Sequence, residues 1–321
     1  MKKKKKPILA FSVICLFLIV LLVMKFNTYK ASLNQEKEAS ASNVRKESKS
    51  YKNLKKVDSK TRKASTIAST KQVDAIERAR QVAEGYIGLK DVGVCCIELN
   101  SGKSFGINQD KVYYAASTGK LPEILYTQKM LNEGSISVNT QFEYHDYVNN
   151  IPGAMIRGGT GVLSNNVHDG EVVSVGTLLK YTCSYSDNLA SNMLGYYVCD
   201  KNDGIFKTYI GSVISKNITT FSKDFSAKDI ALLMKSIYLQ GGQSVDDLKN
   251  TSWDNVKIPK YLPVKAAHKI GINGDYNHDV AIVYAKDPYI ISIMTKGESD
   301  EFIAQLSKKV YDELNIYVNA K

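Results

Sequence analysis

Ser117-Thr118-Gly119-Lys120 sets a hydroxyl three residues ahead of an amine, and it is the single Ser-x-x-Lys of the 321-residue chain. On a helix this spacing puts both side chains on one face, one turn apart. A serine hydroxyl is a weak nucleophile until a neighbouring neutral amine takes its proton. A helix N-terminus further favours negative charge developing on the serine oxygen. Read alone, the tetrapeptide describes a capping serine and a surface lysine just as well.

Two further elements carry groups of the same kind. Ser186-Asp187-Asn188 offers a hydroxyl that can relay a proton and an amide that can hold a carbonyl. Its plain alternative is a helix cap. His268-Lys269-Ile270-Gly271 places a lysine inside an apolar stretch, where it needs an anionic partner or an open sheet edge. The glycine lets another backbone approach closely. Its plain alternative is a lysine on an edge strand.

The pattern of apolar residues predicts the elements that must hold these groups. Val73, Ile76, Ala79, Ala83 and Tyr86 recur at helical spacing over about 72–88. A hairpin follows, Val92–Leu99 and Lys103–Ile107, turning at Asn100-Ser101-Gly102. The middle of the chain reads as helices at Ser117–Leu131, Val175–Cys183, Asn188–Val198, Gly204–Tyr209 and Ser226–Leu239. Strands return at Ala266–Ile272, His278–Ala285 and Tyr289–Thr295, and a last helix runs from Asp300 to Tyr317. Strands segregate from the internal helices, so the fold class is α+β. The expectation is a five-stranded antiparallel sheet flanked by terminal helices, with a helical lobe inserted. The cleft between sheet and lobe is where chemistry belongs.

Charge separates this domain from what precedes it. Residues 1–75 hold 18 Lys and Arg against 5 Asp and Glu, a balance of +13. Residues 76–321 hold 25 against 27, a balance of −2. The formal net charge of +11 therefore belongs to the N-terminal quarter, and a nucleic-acid partner is not expected. Lys2 to Lys6 precede an apolar run, Ile8 to Met24, whose 17 residues give roughly 25 Å of helix. The pattern predicts a single-pass signal anchor over residues 1–24 with a cytoplasmic N-terminus. A cleaved signal peptide is the competing reading, but no small-x-small site directly follows the run. Either way the remainder is exported. Residues 25–71, rich in Lys, Ser, Ala and Asn, predict a disordered basic tether of roughly 40 Å mean span. The folded domain is expected over 72–321.

Five cysteines, one of them in the apolar run, suggest buried thiols rather than a disulfide framework. No CxxC, HxxxH or Gly-rich phosphate loop occurs, so no metal or cofactor is expected.

Ser-x-x-Lys, Ser-Asp-Asn and Lys-x-Gly in this order, on helix, inter-helix corner and strand, resemble the active-site-serine penicillin-recognising enzymes, class A β-lactamases most closely. Gly159-Thr160-Gly161-Val162-Leu163, Thr177-Leu178-Leu179 and His278-Asp279-Val280-Ala281 support the likeness, which covers about 72–321. The resemblance implies that Ser117 attacks an amide carbonyl, that Lys120 takes its proton, and that Ser186 passes it to the leaving nitrogen. It implies that Asn188 holds Lys120 and a substrate amide. Lys269 and Gly271 would serve the substrate carboxylate and backbone, and the N–H groups of Ser117 and Ile272 the oxyanion. Asp187 would be a structural corner residue. The implied ligands are β-lactams or the D-Ala-ended peptidoglycan stem peptides they mimic, handled by a monomer.

Two departures stand out. Class A β-lactamases carry a loop Glu-x-x-Leu-Asn whose glutamate activates the deacylating water. Here no glutamate occurs between Glu171 and Glu298. Ile270 stands where that family has a hydroxyl, which removes a charge-assisted hydrogen bond worth about 1.5–3 kcal/mol. The expectation is an acyl-enzyme that forms and hydrolyses slowly. A non-catalytic peptidoglycan-binding or signalling module on the same fold is the alternative.

Overall fold

The computed structural model describes residues 75–316. The anchor and tether expected over 1–71 lie outside the described residues. Among the described residues, no helix is long and apolar enough to cross a membrane.

Five strands form the central sheet: β1 (Val92–Glu98), β2 (Ser104–Ile107), β7 (Ala266–Asn273), β8 (Tyr276–Val283) and β9 (Tyr289–Lys296). Their order is β2-β1-β9-β8-β7, antiparallel throughout. All seven residues of β1 are buried, because both faces of the sheet are covered. Cys95 faces one apolar cluster and its neighbour Cys96 the other, as alternation along a strand requires.

One face packs on two helices from the ends of the domain. These are α1, described over 75–87, and α8 (Asp300–Leu314). Ser299 caps α8 by accepting from Phe302 N, and Phe302, Ile303, Leu306 and Val310 turn inward. The other face meets the inserted lobe through α6 (Ala227–Gln240), which packs across β9, β1 and β8. A capping box between Ser226 and Asp229 starts α6.

The rest of the lobe comprises α2 (Leu121–Asn132), α3 (Val175–Ser184), α4 (Asn188–Leu194), α5 (Asp203–Ile214) and α7 (Gln243–Leu248). Two ribbons of three-residue strands add to it, β3 (Val112–Tyr114) with β6 (Asp224–Ser226) and β4 (Gln141–Glu143) with β5 (Val172–Ser174). The sequence reading contained neither ribbon. His278 in β8 ties sheet to lobe. It accepts from Thr295 N at its Nδ1 (3.0 Å), so its Nε2 donates to Tyr114 O at 2.9 Å. Burial pushes that imidazole down to about 4, and it stays neutral.

Candidate active site

Ser117 does not open an α-helix. It sits in a 3-10 turn, Ala116–Lys120, that leads into α2. Pro122 is the reason: with no N–H to give, it is accepted only at the first turn of an α-helix, which therefore begins at Leu121. In a 3-10 turn residues i and i+3 eclipse, so the turn aligns Ser117 with Lys120 more closely than an α-helix does. Ala116, just before the serine, has φ +48°. A non-glycine residue there stores strain of the kind that collects at functional sites.

Lys120 is fully buried. Its Nζ donates to Ser186 O at 2.5 Å and to Asn188 Oδ1 at 2.7 Å, with Ser186 Oγ at 3.3 Å. Burial, reinforced by the nearby Lys269 and Lys223 cations, holds this amine well below the usual lysine range. A neutral amine has two hydrogens and one lone pair. The two short bonds use the hydrogens and leave the lone pair to accept a proton. No hydrogen bond joins Ser117 Oγ to Lys120 among the described residues, so proton transfer needs the two side chains to approach each other.

The second corner is held by its own acid. Asp187 caps α4 by accepting from Leu189 N and Ala190 N, both at 2.9 Å, and from Leu163 N at 2.7 Å. Ser186 adopts φ +53° at this corner. Its Oγ accepts from Lys269 Nζ at 2.6 Å. Lys120 Nζ also stands 3.3 Å from this Oγ, on the donor side, which sets up a proton path from Lys120 through Ser186.

Lys269 lies on β7, the edge strand facing the lobe, and is 1% exposed. Burial pushes its ammonium down to about 7. Gly271 shows why glycine is needed two residues on. A Cβ there would stand 2.7 Å from Ala115 O, 2.9 Å from Thr118 N and 3.2 Å from Ser117 N. The strand thus runs in direct contact with the backbone of the Ser117 turn. Ile272 follows at the 54%-exposed end of the strand. Ile270 is buried and brings no hydroxyl to the cleft.

The structure brings Ser117, Lys120, Ser186, Asn188, Lys269, Gly271 and Ile272 to one locus. Asn188 departs from the expected arrangement. Its Oδ1 holds Lys120, but its Nδ2 donates to Ile156 O and Gly158 O, both at 3.0 Å. The amide expected to wait for substrate is engaged by the protein's own main chain.

Three neighbours were not read from the sequence. Lys223 and Glu123 form a buried ion pair whose lysine also donates to Gly119 O at 2.8 Å. The second oxygen of Glu123 has no partner. Trp253, the one tryptophan of the chain, lies with its ring centroid 5.9 Å from Lys269 Nζ. Behind β7, His268 is clamped between Asp279 (3.1 Å) and Asp254 (3.4 Å). Burial alone would lower that imidazole, but the two carboxylates prevail and raise it to about 9. His268 and His278 are both buried structural residues. Cys95, Cys96, Cys183 and Cys199 are buried free thiols. Among the described residues no group of three or more His, Cys, Asp or Glu could hold a metal ion.

The sequence model of the β-lactamase enzyme family matches residues 71–314. Among solved structures, PBP-A is similar at 20% identity and a TM-score of 0.63, over 75% of this chain and 96% of that one. A variant of PBP-A, held as an acyl-enzyme complex with penicillin G, is equally similar over 97% of its length. A β-lactamase from Sphaerobacter thermophilus aligns at 18% identity and a TM-score of 0.61, over 75% of this chain and 98% of that one. Among curated protein sequences none matches the chain.

Proposed function

Because the chain belongs to the β-lactamase enzyme family, and with it to the serine hydrolases, we propose that it is an exported, membrane-anchored acyl-enzyme acting through Ser117. Its substrates are β-lactams or the D-Ala-ended peptidoglycan peptides they mimic. The observation that carries the reading is the buried Lys120 amine, held by Ser186 and Asn188 three residues from Ser117.

In the proposed reaction Lys120 takes the Ser117 proton as Ser117 Oγ adds to the amide carbonyl. The developing oxyanion is stabilised by the N–H groups of Ser117 and Ile272. The proton then moves through Ser186 to the leaving nitrogen as the C–N bond breaks, which leaves an ester on Ser117. Lys269 attracts the substrate carboxylate and keeps Ser186 acidic enough to relay.

Hydrolysis of that ester is slow in this reading. No glutamate lies between Glu171 and Glu298. Glu123, close in sequence to the turn, is engaged by Lys223. The penicillin G acyl-enzyme of the PBP-A variant supports the likeness of chemistry. The lysine run and apolar segment over 2–24 support the anchor, and the domain acts as a monomer outside the membrane.

Labelling with a fluorescent penicillin tests the proposal. Label on the wild type that is lost in Ser117→Ala and persists for hours is the expected result. Rapid loss of label would indicate true β-lactamase turnover. No label, with muropeptides still bound, would indicate a binding module.

A further inference from the structure

The backbone from Ile156 to Leu163 wraps the Ser186-Asp187-Asn188 corner. Ile156 O and Gly158 O accept both hydrogens of the Asn188 amide, and Thr160 O accepts from Asn188 N at 3.0 Å. Leu163 N donates to Asp187 Oδ2 at 2.7 Å. The fit is close enough to exclude side chains. A Cβ on Gly159 would stand 2.8 Å from Asn188 Nδ2, and one on Gly161 2.3 Å from Asp187 Cγ. Gly158, Gly159 and Gly161 all have positive φ, at +81°, +74° and +146°, so this path is open to glycine. Outside the corner, Arg157 ties the strap to Asp146 at 2.8 Å.

An asparagine side-chain amide has two N–H donors and one carbonyl. Here the carbonyl is on Lys120 and both donors are on the strap, so Asn188, 8% exposed, is fully satisfied in the free protein. A substrate carbonyl can bind Nδ2 only by displacing one of these bonds, an exchange with little net gain.

We infer that Asn188 positions Lys120 and does not anchor substrate, and that the site takes acyl donors without using an acylamino carbonyl beside the scissile amide. The strap carbonyls already hold the two donors such a group would need. This rests on the acyl-enzyme reading and narrows its substrate class. Discrimination falls instead to the carboxylate at Lys269 and to the shape of the cleft.

The test compares two penicillins that share one nucleus and differ in the acyl group at this position. Benzylpenicillin carries an acylamino side chain, and 6-aminopenicillanic acid carries a free amine. Rates of Ser117 acylation are followed by intact mass in the wild type and in Asn188→Ala. The inference expects wild-type rates within about threefold of each other, because no bond to the acylamino carbonyl is made. It also expects Asn188→Ala to slow both compounds by the same factor, through Lys120. A benzylpenicillin advantage above about threefold in the wild type overturns it, and one that collapses in Asn188→Ala identifies Asn188 as the anchor. The wild-type comparison stands even if the variant does not fold. Absence of any Ser117 adduct from either compound defeats the acyl-enzyme reading itself, an outcome distinct from a shifted ratio.

Discussion

Lys269 Nζ donates to Ser186 Oγ at 2.6 Å, which couples the amine proposed to meet a substrate carboxylate to the hydroxyl proposed to carry a proton. The coupling gives a pH signature. Lys120 is held well below the usual lysine range by burial and the nearby cations, which favours its base form. Lys269, at about 7, loses its charge as pH rises past neutrality. Ser117 acylation by a carboxylate-bearing penicillin should therefore fall by about tenfold per unit on the alkaline side. Lys269→Arg keeps its charge throughout and should flatten that fall while lowering the maximum. Acylation rates from pH 6 to 9 decide the matter; a flat wild-type profile would contradict the assignment.

The Lys223–Glu123 pair lies with both side chains about 5% exposed, directly beneath Gly119. Removing one partner leaves an uncompensated buried charge, whereas removing both need not. Lys223→Met is expected to cost about 3–5 kcal/mol in denaturant unfolding, and Lys223→Met with Glu123→Leu much less. Because the Lys223 cation depresses Lys120 and Glu123 raises it by less, Lys223→Met should shift the acid limb of acylation upward, and the double variant should shift it less. A purely structural pair would leave that limb in place.

Gly271→Ala tests the contact of β7 with the nucleophile turn. All three atoms that its Cβ would meet are backbone atoms, which cannot rotate away. The strand must move off Ser117, at a stability cost of about 1–3 kcal/mol. Acylation should fall by at least about 100-fold, because the oxyanion site depends on this spacing. Near-normal acylation by this variant would place the oxyanion site elsewhere.

His268 gives a stability prediction. Its folded value, about 9, exceeds the ordinary 6.5, so its contribution is complete below pH 6.5 and is lost as pH rises through 9. Lys269 acts oppositely over the same range, since its folded value is depressed and stability rises with pH. Taking the difference in Tm between wild type and His268→Gln removes the Lys269 contribution. That difference should be largest at pH 6 and shrink by pH 9.5; a constant difference would show that His268 is not held as a cation.

Much of the site was legible because its chemistry depends on residue type. Ser117, Lys120, Ser186, Lys269 and Gly271 each stand in short patterns, and long apolar runs mark β1, β8 and β9. The 3-10 geometry at Ser117 was hidden, although Pro122 signals it. The ribbons β3–β6 and β4–β5 are three residues per strand, too short for any period to register. Lys223 and Glu123 are 100 residues apart, and only the fold pairs them. The occupied amide of Asn188 could not be read, because its partners are main-chain carbonyls with no side-chain signature.

The proposed reaction passes through a covalent intermediate on Ser117. Intact-mass spectrometry after brief exposure to benzylpenicillin, with peptide mapping and a timed chase, tests it most directly. One added penicillin per chain, mapped to Ser117, absent in Ser117→Ala and retained over hours, is the expected result. An unmodified Ser117 peptide, or an adduct that survives in Ser117→Ala, would contradict it.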